Sequence, residues 1–251
     1  MDIQFRDHFT EQWRKYFLGE ELPIVYFYAD DPGDARKVPP AKMHECIICD
    51  LAKVRSGQSL AFNESAISCN GGKRYLGFSN KLRHNFEYFL SYGIPGEMEG
   101  ERYIRTPEMV KQLVRDMRQM EAGAKYIIFK RWDHIAAEDE PAAAIFFAKP
   151  DVLSGLFTLA NYDQVMGDGV NAHFGSGCGT IIHQSWIENE KENPRALLGM
   201  FDVSARPCVP ANVLSFAVPM KKFRRMVSYM DESFLITESW NKVMGRLDQP
   251  K

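Results

Sequence analysis

AAAIFFAKPDVLSGLFTLANYD (Ala142–Asp163) runs from an apolar strand, through a proline, into a helix. VLSFAVPMKKFRRMVSYMDE (Val213–Glu232) repeats that order later in the chain. Proline fits the junction because its fixed φ and missing N–H suit the first helical turn. Strand–proline–helix used twice predicts an α/β or α+β fold. The expectation is a single domain, residues 1–251, with a mixed sheet built partly from these units.

The flanking segments extend the same alternation. Asp7 to Phe17 carries Phe9, Trp13, Tyr16 and Phe17 at helical spacing. PIVYFYAD (Pro23–Asp30) and YIIFKRW (Tyr126–Trp132) are β-branched and aromatic enough to be strands. DDPGDARKVPP breaks regular structure before a helix expected over residues 41–55, and SLAFNESAISC reads as a short strand and turn. Thr106 and Pro107 cap a further helix over TPEMVKQLVRDMRQM. The aromatic stretch NFEYFLSYGIPG (Asn85–Gly96) is open between core and a homodimer face.

The chain has 251 residues, 45% hydrophobic and 25% charged, enough for a core without disulfide staples. A net charge of −2 leaves no basic field for nucleic acid or an anionic membrane. The N-terminus is charged throughout, and the apolar run Ala142–Ala148 falls far short of the roughly 20 residues that cross a bilayer. Neither nucleic acid nor membrane is therefore expected as a partner; a small-molecule ligand or a redox partner is. Five cysteines, an odd number with no secretion signal, argue for a cytoplasmic protein without a disulfide framework.

The cysteines stand in informative settings. Cys46 and Cys49 form C-x-x-C, which on a helix projects both from nearly one face, close enough to share a metal or a redox disulfide. Cys69 precedes Asn70, Gly71 and Gly72, and Cys178 lies between Gly177 and Gly179 in HFGSGCGTIIHQSW (His173–Trp186). Glycines beside a thiol let the backbone approach whatever the sulfur touches. A helix beginning after Cys178 would put that thiol at the positive end of a dipole and lower its pKa. Thiolates converging from separate loops suit an iron–sulfur cluster, with zinc as the alternative. A zinc ribbon normally has two C-x-x-C knuckles, and one is present.

Cys208, between prolines, is a reserve ligand. His173 and His183 flank Cys178 as ligands or as a base for a nucleophilic cysteine. Arg206 is suited to an anionic substrate or to a cluster's charge. Asp163, Asp168 and Asn171 lack calcium-loop spacing, and no phosphate-loop, dinucleotide or nucleophile-elbow motif is present. The basic KKFRRM (Lys221–Met226) alternates with apolar residues at helical spacing and reads as a solvated helix face.

CIICDLAKVRSGQSLAFNESAISCNGGKRYLGF (Cys46–Phe78) resembles the signature of the domain-of-unknown-function family 169 of bacteria and archaea. The matching positions are Cys46, Ala52, Gly57, Cys69, Gly71, Gly72, Leu76 and Gly77. AIFFAKPDVLSGLFTLANY, GSGCGTIIH and ALLGMFDVSARPCVP are similar to its later segments, so the resemblance covers about Phe9 to Met230. It implies a site of three cysteines, Cys46, Cys69 and Cys178, with Cys49 peculiar to this chain. Where many members carry cysteine, this chain has GMFD (Gly199–Asp202), which removes a fourth ligand there. The family brings no assigned reaction.

Three functions follow as expectations. One is a cluster or other metal held by Cys46, Cys69 and Cys178, with Cys49 or Cys208 possible neighbours and Arg206, Gly71, Gly72, Gly177 and Gly179 lining the site. It would do redox or Lewis-acid chemistry on a small molecule. The second is metal-free thiol chemistry with Cys178 as nucleophile. The third is a non-catalytic small-molecule binder.

Overall fold

The computed structural model describes residues 1–247; positions 248–251 of the expected domain lie outside the described residues. The strands are β1 (Ile24–Ala29), β2 (Arg36–Lys37), β3 (Leu60–Phe62), β4 (Gly93–Ile94), β5 (Met98–Glu99), β6 (Tyr126–Arg131), β7 (Ala143–Ala148), β8 (Val170–Asn171), β9 (Ala196–Gly199) and β10 (Leu214–Pro219). The helices are α1 (Ile3–Phe17), α2 (Ile47–Arg55), α3 (Asn70–Tyr75), α4 (Phe86–Leu90), α5 (Pro107–Asp116), α6 (Pro150–Asn161), α7 (Ser185–Asn189), α8 (Met220–Ser228) and α9 (Glu238–Leu247).

Eight strands form one mixed sheet in the order β2-β3-β6-β1-β7-β10-β9-β8. The edge pairs β2–β3 and β8–β9 are parallel and the pairs between them antiparallel. Both strand–proline–helix units exist: β7 leads to α6 with Pro150 in its first turn, and β10 leads to α8 with Pro219 as the cap. Their strands are antiparallel neighbours.

Side chains alternate across the central strands because successive residues of a strand point to opposite faces. Val25, Ala144, Phe146, Phe216 and Val218 pack with α1, α6, α8 and Trp240 of α9. Ile24, Tyr26, Ile145, Phe147 and Ala217 pack on the other face with α2, Cys178, Ile181 and Ile182. Helices thus cover both faces, an α/β arrangement, and Cys46, Cys178 and Cys208 pack with the second face.

Two expectations change. The helix expected from residue 41 starts at Ile47, with Cys46 as its cap. The preceding backbone bonds elsewhere: Ala41 N–H donates to the Ser65 carbonyl, and Glu45 N–H to Ser68 Oγ at 2.7 Å. The basic face of α8 is not all solvated either, because Lys222 is fully buried and its Nζ reaches Asp163 Oδ1 at 2.7 Å. Asp163, set aside as a calcium ligand, is thus half of a structural ion pair. The Asn85–Gly96 stretch forms α4 and the β4–β5 hairpin; Phe86, Tyr88 and Phe89 are half-buried and Tyr92 is exposed. No helix among the described residues is long and apolar enough to cross a membrane.

Candidate functional site

Three segments bring cysteines together on one face of the sheet. Cys46 caps α2, Cys69 caps α3, and Cys178 opens a π-helical turn, Gly179–Gln184, that runs on into α7. The loops are tied residue to residue. Ser68 Oγ accepts from Glu45 N–H and donates to the Glu45 carbonyl at 3.0 Å, so the residues preceding Cys69 and Cys46 are bonded to each other. A Cβ on Gly177 would stand 3.2 Å from Ile48, two residues past Cys46. A Cβ on Gly179 would stand 3.3 Å from the ring of Tyr75, at the end of the helix Cys69 begins.

The thiols sense one another. Burial pushes Cys178 up to about 12, and the nearby Cys69, Cys46 and Asp202 push the same way. Cys46 is also raised, first by burial and then by Cys69 and Asp202, against hydrogen bonds from the Ile48 and Cys49 N–H groups. Cys69 Sγ accepts from Gly72 N–H at 3.4 Å, and Ser176 Oγ lies 3.6 Å from Cys178 Sγ. The Cys178 thiol is not lowered as the sequence led us to expect, because burial outweighs the hydrogen bond from Ser176 that favours the thiolate.

That inversion makes a prediction. At pH 8, Cys178 of folded, metal-free protein should react with iodoacetamide at least about a hundredfold more slowly than in urea, since the thiolate is the nucleophile. Comparable rates in the two states would restore the nucleophile reading.

The π-helix has a local cause. π-turns are uncommon and cluster at functional sites. Here Ser185 Oγ donates to the Ile181 and Ile182 carbonyls at 2.8 and 2.9 Å, and Tyr26 Oη, from β1, reaches the Ile182 carbonyl at 3.2 Å. Carbonyls loosened by the wider turn therefore find partners.

The other expected residues divide. Cys49 and Cys208 are joined in a disulfide across 159 residues of sequence, so neither offers a thiolate, and the expectation of no disulfide is corrected. They meet because the Arg206–Cys208 turn packs on α2. Arg206 donates to the carbonyls of Val213, Ala211 and Pro210 at 2.5, 2.7 and 3.4 Å, which engages its guanidinium in closing its own loop. The space beside Gly177 is taken by Ile48, Ala205 and Met200, and that beside Gly179 by Ser176 and Tyr75. These two glycines let loops close on each other. Cβ atoms on Gly71 and Gly72 would stand in ordinary contact with Cys69, 3.6 Å from its Sγ and 3.5 Å from its Cβ, and only the one on Gly72 would crowd a neighbour, Ile67 at 3.1 Å. His173 is exposed, while His183 is buried with Nε2 on the Arg118 carbonyl at 2.7 Å. Burial chiefly lowers the His183 pKa.

Sequence reading missed three residues. Asp202 is buried and accepts from Gly177 N–H at 3.2 Å, Ser204 N–H at 3.0 Å, Ser204 Oγ at 2.8 Å and Tyr103 Oη at 3.2 Å. It pins the Cys178 turn, and its Asp-x-Ser spacing was the available signal. Met200 holds φ at +69° with its sulfur against Gly177, a backbone strain that tends to gather at functional sites. Arg74 is buried beside Tyr75. Its Nη1 donates to the Asn80 carbonyl at 3.0 Å, Nη2 has no partner, and no carboxylate pairs with it among the described residues.

The chain belongs to a family of proteins without an assigned activity, as its cysteine-bearing loops suggest. The model of DUF169, described as uncharacterised ArCR, matches residues 21–229. Comparison with curated proteins and with solved structures found no match.

Proposed function

We propose that the protein holds an iron–sulfur cluster through Cys46, Cys69 and Cys178 and uses it for redox or Lewis-acid chemistry on a small molecule. The observation that carries this reading is that the three loops bearing the unpaired thiols Cys46, Cys69 and Cys178 touch one another on one face of the sheet. Each loop is held there by hydrogen bonds to its neighbours.

The donor set discriminates between metals. A single tetrahedral ion with metal–sulfur bonds of about 2.3 Å needs sulfurs roughly 4 Å apart. Among the described residues no three His, Cys, Asp or Glu side chains stand so placed. In a cluster the thiolates bind different irons, so the proposal does not require the three sulfurs to meet at a single ion. Arg74, buried in the helix that Cys69 caps and without a carboxylate partner among the described residues, is the cation we would assign to balance thiolates and sulfides, a role the sequence offered to Arg206. Bound there, the cluster would supply electron transfer or an open iron. Cytoplasm is the compartment proposed, with the Cys49–Cys208 disulfide an exception to its reducing rule.

The test is anaerobic purification with iron, acid-labile sulfide and zinc analysis and a visible spectrum. Comparable iron and sulfide with broad absorption are expected, lost in Cys46→Ala, Cys69→Ala or Cys178→Ala. Colourless protein with neither iron nor sulfide, before and after anaerobic reconstitution, would sink the reading; zinc alone would replace it with a Lewis-acid or structural site.

A further inference from the structure

A cleft of about 410 Å³ opens between the start of α2 and the segment that follows β2, beside the loops that carry Cys46 and Cys69. Its volume falls within the range of small-molecule sites. Leu60, Phe62, Ala66 and Ile67, all buried, make an apolar floor, and Ile47 of α2 adds to one wall. Glu45 and Ser68 also line it, and these are the two residues whose mutual hydrogen bonds set Cys46 and Cys69 side by side. Anything filling this cleft therefore lies one residue from two of the three thiols.

The charges of the cleft are uneven. Lys53 is engaged by Asp50 at 2.6 Å. Arg36 and Lys42 are exposed, line the cleft and make no ion pair among the described residues. Against them stands one carboxylate without an ion-pair partner, that of Glu45. Two available cations against one anion, above an apolar floor, call for a ligand with an apolar body and a single negative charge.

A second cleft, of about 450 Å³, makes the contrast. Arg55 is held there by Glu21 through two bonds, at 2.5 and 2.8 Å, and Lys149 by Glu20 at 3.5 Å. Its charges already answer each other.

We propose that the cleft beside Cys46 binds a small organic monocarboxylate. Its apolar body lies on Leu60, Phe62 and Ile67, and Arg36 and Lys42 hold its carboxylate at the mouth. This makes the cleft the substrate pocket of the cysteine site. That last step rests on the cluster reading; occupancy of the cleft does not, and the experiment separates them.

Calorimetry on the full-length protein as isolated, with hexanoate, hexanamide and hexylamine as probes, tests it. Hexanoate should bind with Kd of about 1 mM or better, a reach consistent with so few atoms. Hexanamide should bind about tenfold more weakly, because it lacks the charge-assisted bonds to the two cations. Arg36→Gln/Lys42→Gln, at two exposed positions, should erase the difference between acid and amide. Ala66→Phe, which fills the floor, should abolish both. Protein found to contain no iron should bind hexanoate unchanged, so loss of the cluster reading leaves this one standing. Equal binding of acid and amide, stronger binding of the amine, or no binding of hexanoate up to about 10 mM would overturn the proposal whatever the iron content.

Discussion

Asp163→Ala is expected to cost about 3–5 kcal/mol of unfolding free energy, the range for removing one partner of a buried ion pair. Lys222 is fully buried on α8, and its Nζ sits 2.7 Å from Asp163 Oδ1. Arg225, more exposed, reaches Oδ2 of the same carboxylate at 3.6 Å. Truncating Asp163 strands the Lys222 cation in the apolar layer between α6, α8 and the sheet, where charge is poorly solvated. The loss comes mostly from that stranded charge, so removing both ends should be milder. Asp163→Leu/Lys222→Met is expected to recover most of the stability, and urea unfolding of the three proteins measures it. A single-variant loss under about 1 kcal/mol would mean the ammonium finds water instead.

The same pair sets a pH dependence. Burial pushes the Asp163 carboxyl up, but hydrogen bonds from Lys222 and Gln164 outweigh it and hold the group below its ordinary 3.8. A carboxyl lowered in the folded state stabilises fully above its unfolded value. Its contribution is therefore complete above 3.8 and fades as pH falls through the lowered native value.

Much of the fold was legible because it rests on local patterns. The apolar runs of β1, β6, β7 and β10, the prolines opening α6 and α8, and Thr106 capping α5 with Pro107 behind it are signals carried within a few residues. The failures were places where a distant partner decided. Residues 41–45 look helical until the Ser65–Ser68 segment takes their N–H groups. Lys222 looks solvated until the turn after α6 brings Asp163 against it. At the site, the glycine-flanked thiols were visible, and so were the loops they stand on. What no spacing gave was that Arg206 would turn back on its own loop while Arg74 stayed without a carboxylate. Nor did any spacing reveal that Asp202 would reach across to pin the Cys178 turn. Each of those depends on which loop packs on which, a tertiary fact.

The odd cysteine count hid the remaining long-range contact: five is one disulfide and three thiols. Peptide mapping of protein isolated without reductant and alkylated at once is expected to find Cys49 joined to Cys208 and the other three cysteines alkylated or protected as thiols. The bond fastens α2, which carries Cys46 at its cap, to the turn after Ala205, which touches Gly177. Closing so long a loop restricts the unfolded chain, and loss of such a bond typically costs about 2–4 kcal/mol. Cys49→Ser, Cys208→Ser and reduced wild type should therefore share one lowered urea midpoint, and the double variant should fall no further. Because the bond excludes Cys49 from ligation, Cys49→Ser should also keep its iron and sulfide, unlike the variants of Cys46, Cys69 and Cys178. Loss of iron in Cys49→Ser would place that sulfur among the ligands, and the disulfide would then be a state the protein reaches only when the cluster is gone. Retention of iron with a lowered midpoint would leave Cys49–Cys208 as the clasp and the three remaining thiols as the whole ligand set.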